Sequence, residues 1–183
     1  INAVTLRSNL STLREFLRFC VTIDAVDHTI PEKVNVPSLD AGENERESYL
    51  AFERAQTIHD YLQQFEYASL DHVLFALQWH TGVGMGALYS LDIDDVQLDE
   101  QRIQFEHRPD EGTRLKNGVD ANRFVAIGDD VTQILKDYLD VKRVPVTDDY
   151  GRSPLFTTRH GRMDKMTLNR HMYAVTTPCR YGF

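Results

Sequence analysis

Residues 80–92 read HTGVGMGALYSLD, and the character of the chain changes across them. Upstream, LDHVLFALQWH carries apolar residues at helical spacing, and Ser69 stands where its side-chain oxygen can accept an orphan amide of the first turn. Thr81-Gly82 breaks that helix and MGALYSL gives a short one. The apolar period then falls to two. Val96 and Leu98, a polar turn at Asp99-Glu100-Gln101, and Ile103, Phe105 and His107 alternate as strands do. The glycines of GVGMG have the spacing of a nucleotide loop, but they follow a helix and not a strand, which removes that loop's mechanism.

Working outward, Leu6, Leu10, Leu13, Leu17 and Cys20 alternate steps of four and three, one stripe of an amphipathic helix over 4–20. VDHTIPEKVNVPSLDAGENERES has two prolines and clustered acids, and reads as a linker with a boundary near 40–47. Phe52, Ala55, Ile58, Leu62 and Phe65 mark a helix ending near Tyr67. Beyond the two strands, the loop RPDEGTRLKNGVDAN leads to RFVAI, a third strand. A long helix over 129–142, an apolar stretch PLFTT and a helix over 165–175 complete the order. The expected class is α+β, mostly helical, with a small three-stranded antiparallel sheet.

The chain has 183 residues, enough for one domain or one domain plus part of another. It opens with Ile1 and not Met, so a fragment of a longer protein is one expectation. With 42% hydrophobic and 26% charged residues the composition is globular. No run is long and apolar enough to span or target a membrane, so the expected site is cytoplasmic. Cys20 and Cys179 make neither a disulfide framework nor a zinc motif and are expected as plain thiols. No HExxH or similar ligand pair exists, so no metal or cofactor is expected, and His80 beside Trp79 reads as a helix-end packing residue. The net charge of −8 hides a gradient: 6 Lys+Arg against 17 Asp+Glu in 1–100, but 6 against 1 in 151–183. An acidic body with a basic C-terminal face suits an anion-binding surface on a protein adapted to high salt, or is ordinary charge fluctuation.

In order and spacing, FEYASLDHVLFALQWHTG, GALYSLDIDDV, LKN and VTDDYGRSPLFTTRHGRM resemble the tyrosine recombinases, the phage-integrase type, and most closely integrase-like proteins of halophilic archaea. The resemblance implies that 44–183 is the N-terminal portion of an integrase-type catalytic domain. Residues 1–43 would be the tail and linker of the family's helical, SAM-like core-binding domain. In that family a tyrosine attacks the scissile phosphorus, two arginines and a histidine or tryptophan hold the non-bridging oxygens, and a hairpin lysine protonates the leaving hydroxyl, assisted by one further His or Lys. A guanidinium fork matches the planar oxygens of the transition state. The phosphotyrosyl link conserves bond energy, so no nucleotide cofactor is needed.

Carried over, Lys116 matches the hairpin lysine, with a solvated loop lysine as the plain alternative. The first arginine belongs two residues after Gly82, and Gly84 stands there. Losing one such donor lowers the rate by about 10²–10³-fold. A glycine is also expected to weaken the start of that helix by up to about 1 kcal/mol. The only near match to His-x-x-Arg is RHGR at 159–162, with the wrong spacing, and Tyr181 reads as a non-catalytic tail residue. The expectation is a truncated, degenerate integrase that does not cut DNA, unless another protomer supplies the tyrosine in trans. A module that occupies a recombination site without cleaving, and a functionless decay product, stay open beside it. Duplex DNA is the expected partner, with Arg108, Arg114, Arg123, Arg152, Arg159, Arg162, Lys165 and Arg170 as candidate phosphate contacts, each alternatively a solvated surface residue. Neither a membrane nor a small-molecule substrate is expected.

Overall fold

The computed structural model describes residues 2–39 and 49–177, which fall in two compact units, 1–49 and 50–183. Within the first, helix α1 (Ala3–Thr22) starts where the Asn2 side chain accepts the Val4 N–H at 2.9 Å. Part of the expected linker is structured. A 3-10 turn at Pro31–Lys33 folds back on α1, Pro31 is buried, and the Arg14 guanidinium donates to the Val34 carbonyl. This unit is too short to enclose a core. Of its apolar stripe only Cys20 is buried, while Phe16, Phe19 and Ile23 are more than half exposed. The expected boundary at 43/44, Cys179 and Tyr181 lie outside the described residues.

The second unit is built around α3 (Leu70–Thr81), buried from Asp71 to Leu77. Ser69 caps it, its Oγ accepting the His72 N–H at 3.1 Å, and Gly82 ends it in the left-handed conformation (φ 64°) that a side chain disfavours. One side of α3 meets α2 (Phe52–Phe65) and α6 (Lys165–Thr176) through Ala55, Ile58, Leu62, Phe75 and Val175. Phe52 and Phe65, expected on that stripe, lie at the two ends of α2 and are more than 60% exposed, Phe52 set against the Trp79 ring of α3. The larger core gathers Leu74 and Leu77 with Leu88 of α4 (Met85–Ser90), Ile103 and Phe105, Ile134 and Leu135, Leu155 and Leu168. Fully burying each such side chain stabilises the fold by about 1.5–3 kcal/mol.

The sheet is an antiparallel meander of β1 (Val96–Gln97), β2 (Arg102–Phe105) and β3 (Arg123–Ala126), with Val96 opposite Ile103 and Ile103 opposite Val125. The alternation in β2 buries Ile103 and Phe105 and turns Arg102 and Gln104 outward, while His107 falls beyond the strand. The expected long helix is α5 (Asp129–Asp137), which widens into a π turn over Tyr138–Lys142, where the Arg143 N–H reaches the Tyr138 carbonyl. The stretch expected only as apolar is half of a hairpin, β4 (Thr157–Thr158) against β5 (Gly161–Arg162). Among the described residues no helix is long and apolar enough to cross a membrane.

His72 holds the entry to α3 in a second way. Its Nδ1 accepts the N–H of Ala68, a left-handed residue (φ 50°), while its Nε2 is buried without a partner near the His59 ring. Burial, reinforced by His59, pushes its pKa down to about 4. Between the unfolded value near 6.5 and about 4, the unfolded chain takes up a proton that the fold refuses. The contribution of His72 is therefore whole above pH 6.5 and declines as pH falls towards 4, by about 3 kcal/mol in all. Denaturant titrations from pH 7 to 4 are expected to show a shallower loss of stability in His72→Gln than in the wild type. Parallel curves would remove His72 from the acid response.

Candidate functional site

Gly84 is the N-cap of α4, with φ −73° and ψ 158°. This is extended backbone open to any residue, and a Cβ built there meets nothing within 4 Å. Neither conformation nor packing requires glycine at this position. Because it caps the helix and does not lie within it, glycine costs only a few tenths of a kcal/mol relative to Ser, Asn or Asp, less than the sequence implies.

Lys116 lies exposed on a turn of the connection between β2 and β3, and it makes no ion pair among the described residues. The turn has a fixed base. His107 donates its N–H to the Asn122 side chain at 2.8 Å and accepts the Leu115 N–H on Nδ1 at 2.9 Å, and Leu115 itself is buried. His107 thus sets the residue next to Lys116. Its only trace in the sequence is a histidine closing an apolar alternation.

The main polar feature is a network of three arginines that converges on the acids following α4. Asp92 and Asp95 form a reciprocal cap, the Asp92 N–H donating to Asp95 Oδ2 at 2.9 Å. Arg108 binds Asp95 with both terminal nitrogens, at 3.0 and 2.6 Å, and Glu106 at 2.8 Å. Arg152 reaches Asp92 at 3.1 Å, the Thr113 hydroxyl at 3.1 Å and the Glu111 carbonyl at 2.7 Å. Arg162 pairs with Asp92 and with Asp148 at 2.8 Å, and donates to the Tyr89 and Leu91 carbonyls. The side chains of Arg162, Asp92 and Asp148 are each 8% exposed or less.

Burial dominates at Asp92 and raises its pKa against the pull of Arg162 and Arg152. Burial pushes Asp148 the same way, but hydrogen bonds from Arg162 and from the Arg152 and Tyr150 amides outweigh it and hold that carboxyl below its ordinary value. The bidentate bonds to Asp95 hold the Arg108 charge more firmly than usual.

Three of the eight candidate phosphate contacts, Arg108, Arg152 and Arg162, therefore have their donors turned onto the protein's own acids and carbonyls. The sequence reading missed this because their partners lie up to 70 residues away. The other five are exposed and make no ion pair among the described residues. Arg114 and Arg123 flank Lys116, Arg123 stacking on the Phe105 ring. Arg159 sits at the β4–β5 tip, Lys165 lies over the Tyr89 ring, and Arg170 is on α6. His80 lies exposed in the last turn of α3, near Gly128. No group of three or more metal-binding side chains occurs among the described residues.

No family model and no curated protein matches the chain. The solved structures similar to it include two recombination proteins. One is the crystal structure of XerA recombinase, at 20% identity and TM-score 0.55, covering 96% of this chain and 54% of that one. The other is the Tn1549 transposon integrase in complex with a circular intermediate DNA, at 16% identity and TM-score 0.56, covering 84% of this chain and 51% of that one. The chain spans about half the length of the structures it matches. The likeness establishes the fold, that of a tyrosine-recombinase catalytic domain.

Removing Arg162 leaves Asp92 and Asp148 buried without their main counter-charge. Arg162→Ala is expected to lower unfolding free energy by about 3–5 kcal/mol. Guanidinium or urea melts that move by under about 0.5 kcal/mol, the range of an ordinary surface change, would show the network to be dispensable.

Proposed function

We propose that this chain is a degenerate relative of the tyrosine recombinases, with its nearest kin among halophilic archaeal integrases, and that it binds duplex DNA without cutting it. Gly84 carries the reading. An arginine is missing at the point where the family resemblance puts a phosphate-holding guanidinium, and nothing in the fold asks for a glycine there. Within the span covered by the sequence, Lys116 is the position that matches the family's catalytic set. The ancestral activity on this reading is DNA integration and recombination, in the cytoplasm, with other recombinase protomers as candidate partners.

Two groups of exposed cations support the DNA-binding half. Arg114, Lys116 and Arg123 stand around the β2–β3 connection, and Arg159, Lys165 and Arg170 around β5 and α6. Their donors are free of carboxylates among the described residues, so they can meet phosphates. The acidic first hundred residues keep such a protein soluble in concentrated salt and confine its attraction for DNA to these cations. A second reading, a decay product without function, rests on the exposed apolar side chains of α1, Phe16 and Phe19 among them.

A duplex titration over a range of salt separates the two. Binding is expected to weaken linearly in log–log form, with a slope of about 0.9 per phosphate neutralised. Gly84→Arg is expected to leave stability within about 0.5 kcal/mol of the wild type and to steepen the salt slope by about one contact. Lys116→Ala should change affinity little, one loop charge being a small part of the patch. Absence of salt-dependent affinity in both wild type and Gly84→Arg would favour decay, and a covalent protein–DNA adduct from the wild type would sink the non-cleaving reading.

A further inference from the structure

A cleft of about 590 Å³ opens between the segment following α5 and the β4–β5 tip, lined by Arg143, Thr147, Ser153, Arg159, His160 and Gly161 among others. No carboxylate lines it. Its inner cation is unusual in this fold. Arg143 is half-buried and donates from Nε to the Pro154 carbonyl at 2.9 Å and from a terminal nitrogen to the Val146 carbonyl at 3.2 Å. These bonds fix the guanidinium plane without neutralising its charge. Arg108, Arg152 and Arg162 each have at least two carboxylates, whereas Arg143 has none within ion-pair distance among the described residues. Burial accordingly disfavours its charged form, against a smaller opposing pull from the Tyr138 phenol.

We infer that this cleft is a binding site for a phosphate-type oxyanion, held by Arg143 at its base and by Arg159 and His160 at its rim. The rim is arranged for that role. Arg159 donates from Nε to His160 Nε2 at 2.9 Å, which places the ring proton on Nδ1 and leaves Nδ1–H and both terminal nitrogens of Arg159 as donors. The Thr147 and Ser153 hydroxyls carry no protein hydrogen bond among the described residues. A tetrahedral oxyanion presents oxygens on several sides at once, and so suits donors that converge from two chain segments. The walls are joined independently of any ligand, Thr157 donating its hydroxyl to the Val144 carbonyl at 2.9 Å. The phosphate has two possible sources, a free anion or the backbone of DNA. The site does not depend on the DNA-binding proposal, because inorganic phosphate alone tests it.

Inorganic phosphate titrated into the full chain at constant ionic strength, with chloride as the balancing salt, is expected to give saturable amide NMR shifts at Ser153 and Gly161. Arg159→Gln, an exposed change outside the core, should weaken that affinity about tenfold or more, while Lys136→Gln on α5 should not alter it. Arg143→Lys keeps the charge but loses the planar fork, and should also weaken binding. Shifts that do not saturate, or that persist unchanged in both Arg159→Gln and Arg143→Lys, would overturn the site. Adding duplex DNA then identifies the source. Displacement of phosphate by DNA assigns the cleft to the nucleic-acid backbone, and undisturbed phosphate assigns it to a free anion; either result keeps the site.

Discussion

The pairing of Arg108, Arg152 and Arg162 with Asp92, Asp95 and Asp148 is the constraint on which the rest of the second unit depends. It joins the end of α4, the β2–β3 connection, the turn at 148–152 and strand β5, segments drawn from across some 70 residues of chain. Regular structure alone would hold these poorly. β1, β4 and β5 are two residues each, and the connection between β2 and β3 has one isolated bridge, Arg108 to Thr113. Short strands contribute few ladder bonds, and the ion pairs add cross-links between the segments around them. The guanidinium fork serves that purpose because it is planar and binds several acceptors at fixed angles.

That solution carries a condition. Charges taken out of water are tolerated only when each is matched, and the net worth of such a cluster relative to an apolar one is small even though breaking it is costly. The protein meets the condition with carbonyls as well as acids: Tyr89 and Leu91 accept from Arg162, and Glu111 accepts from Arg152 through its backbone oxygen. The result sorts the cations into two kinds. Those inside the network have little left to offer a ligand, and those outside it, on the β2–β3 connection, on α6 and around the cleft at Arg143, remain available to one.

The helices were largely legible because their signals are local. Ser69 before LDHV, Gly82 after the last apolar turn, and the shift to period two at Val96 depend on residues within a few positions of each other, and the structure bears out α3, α4 and the three-stranded sheet. The misses have the opposite character. The β4–β5 hairpin is too short to show alternation, and the π turn after α5 preserves an apolar spacing that a plain helix would also give. The arginine network has no periodicity at all. Arg162 stands 70 residues from Asp92, and nothing in RHGR says that its last residue points inward. The reciprocal cap of Asp92 and Asp95 was the one readable hint, since aspartates three apart at a helix start satisfy each other's backbone and leave oxygens for a cation.

The same physics separates two kinds of arginine position. At Arg162 the fold has a stake: loss exposes two buried carboxylates to an uncompensated environment, at a cost comparable to a large share of the 5–15 kcal/mol that holds an ordinary domain together. At Gly84 the fold has none, because the backbone is extended, the surrounding space is empty and the helix begins equally well. A chain required only to fold and to hold DNA would therefore keep the first and tolerate the loss of the second. On the proposed reading, the frame of a recombinase survives without its leading arginine because the residues that build the frame and the residue that would hold the reacting phosphate answer to different energies.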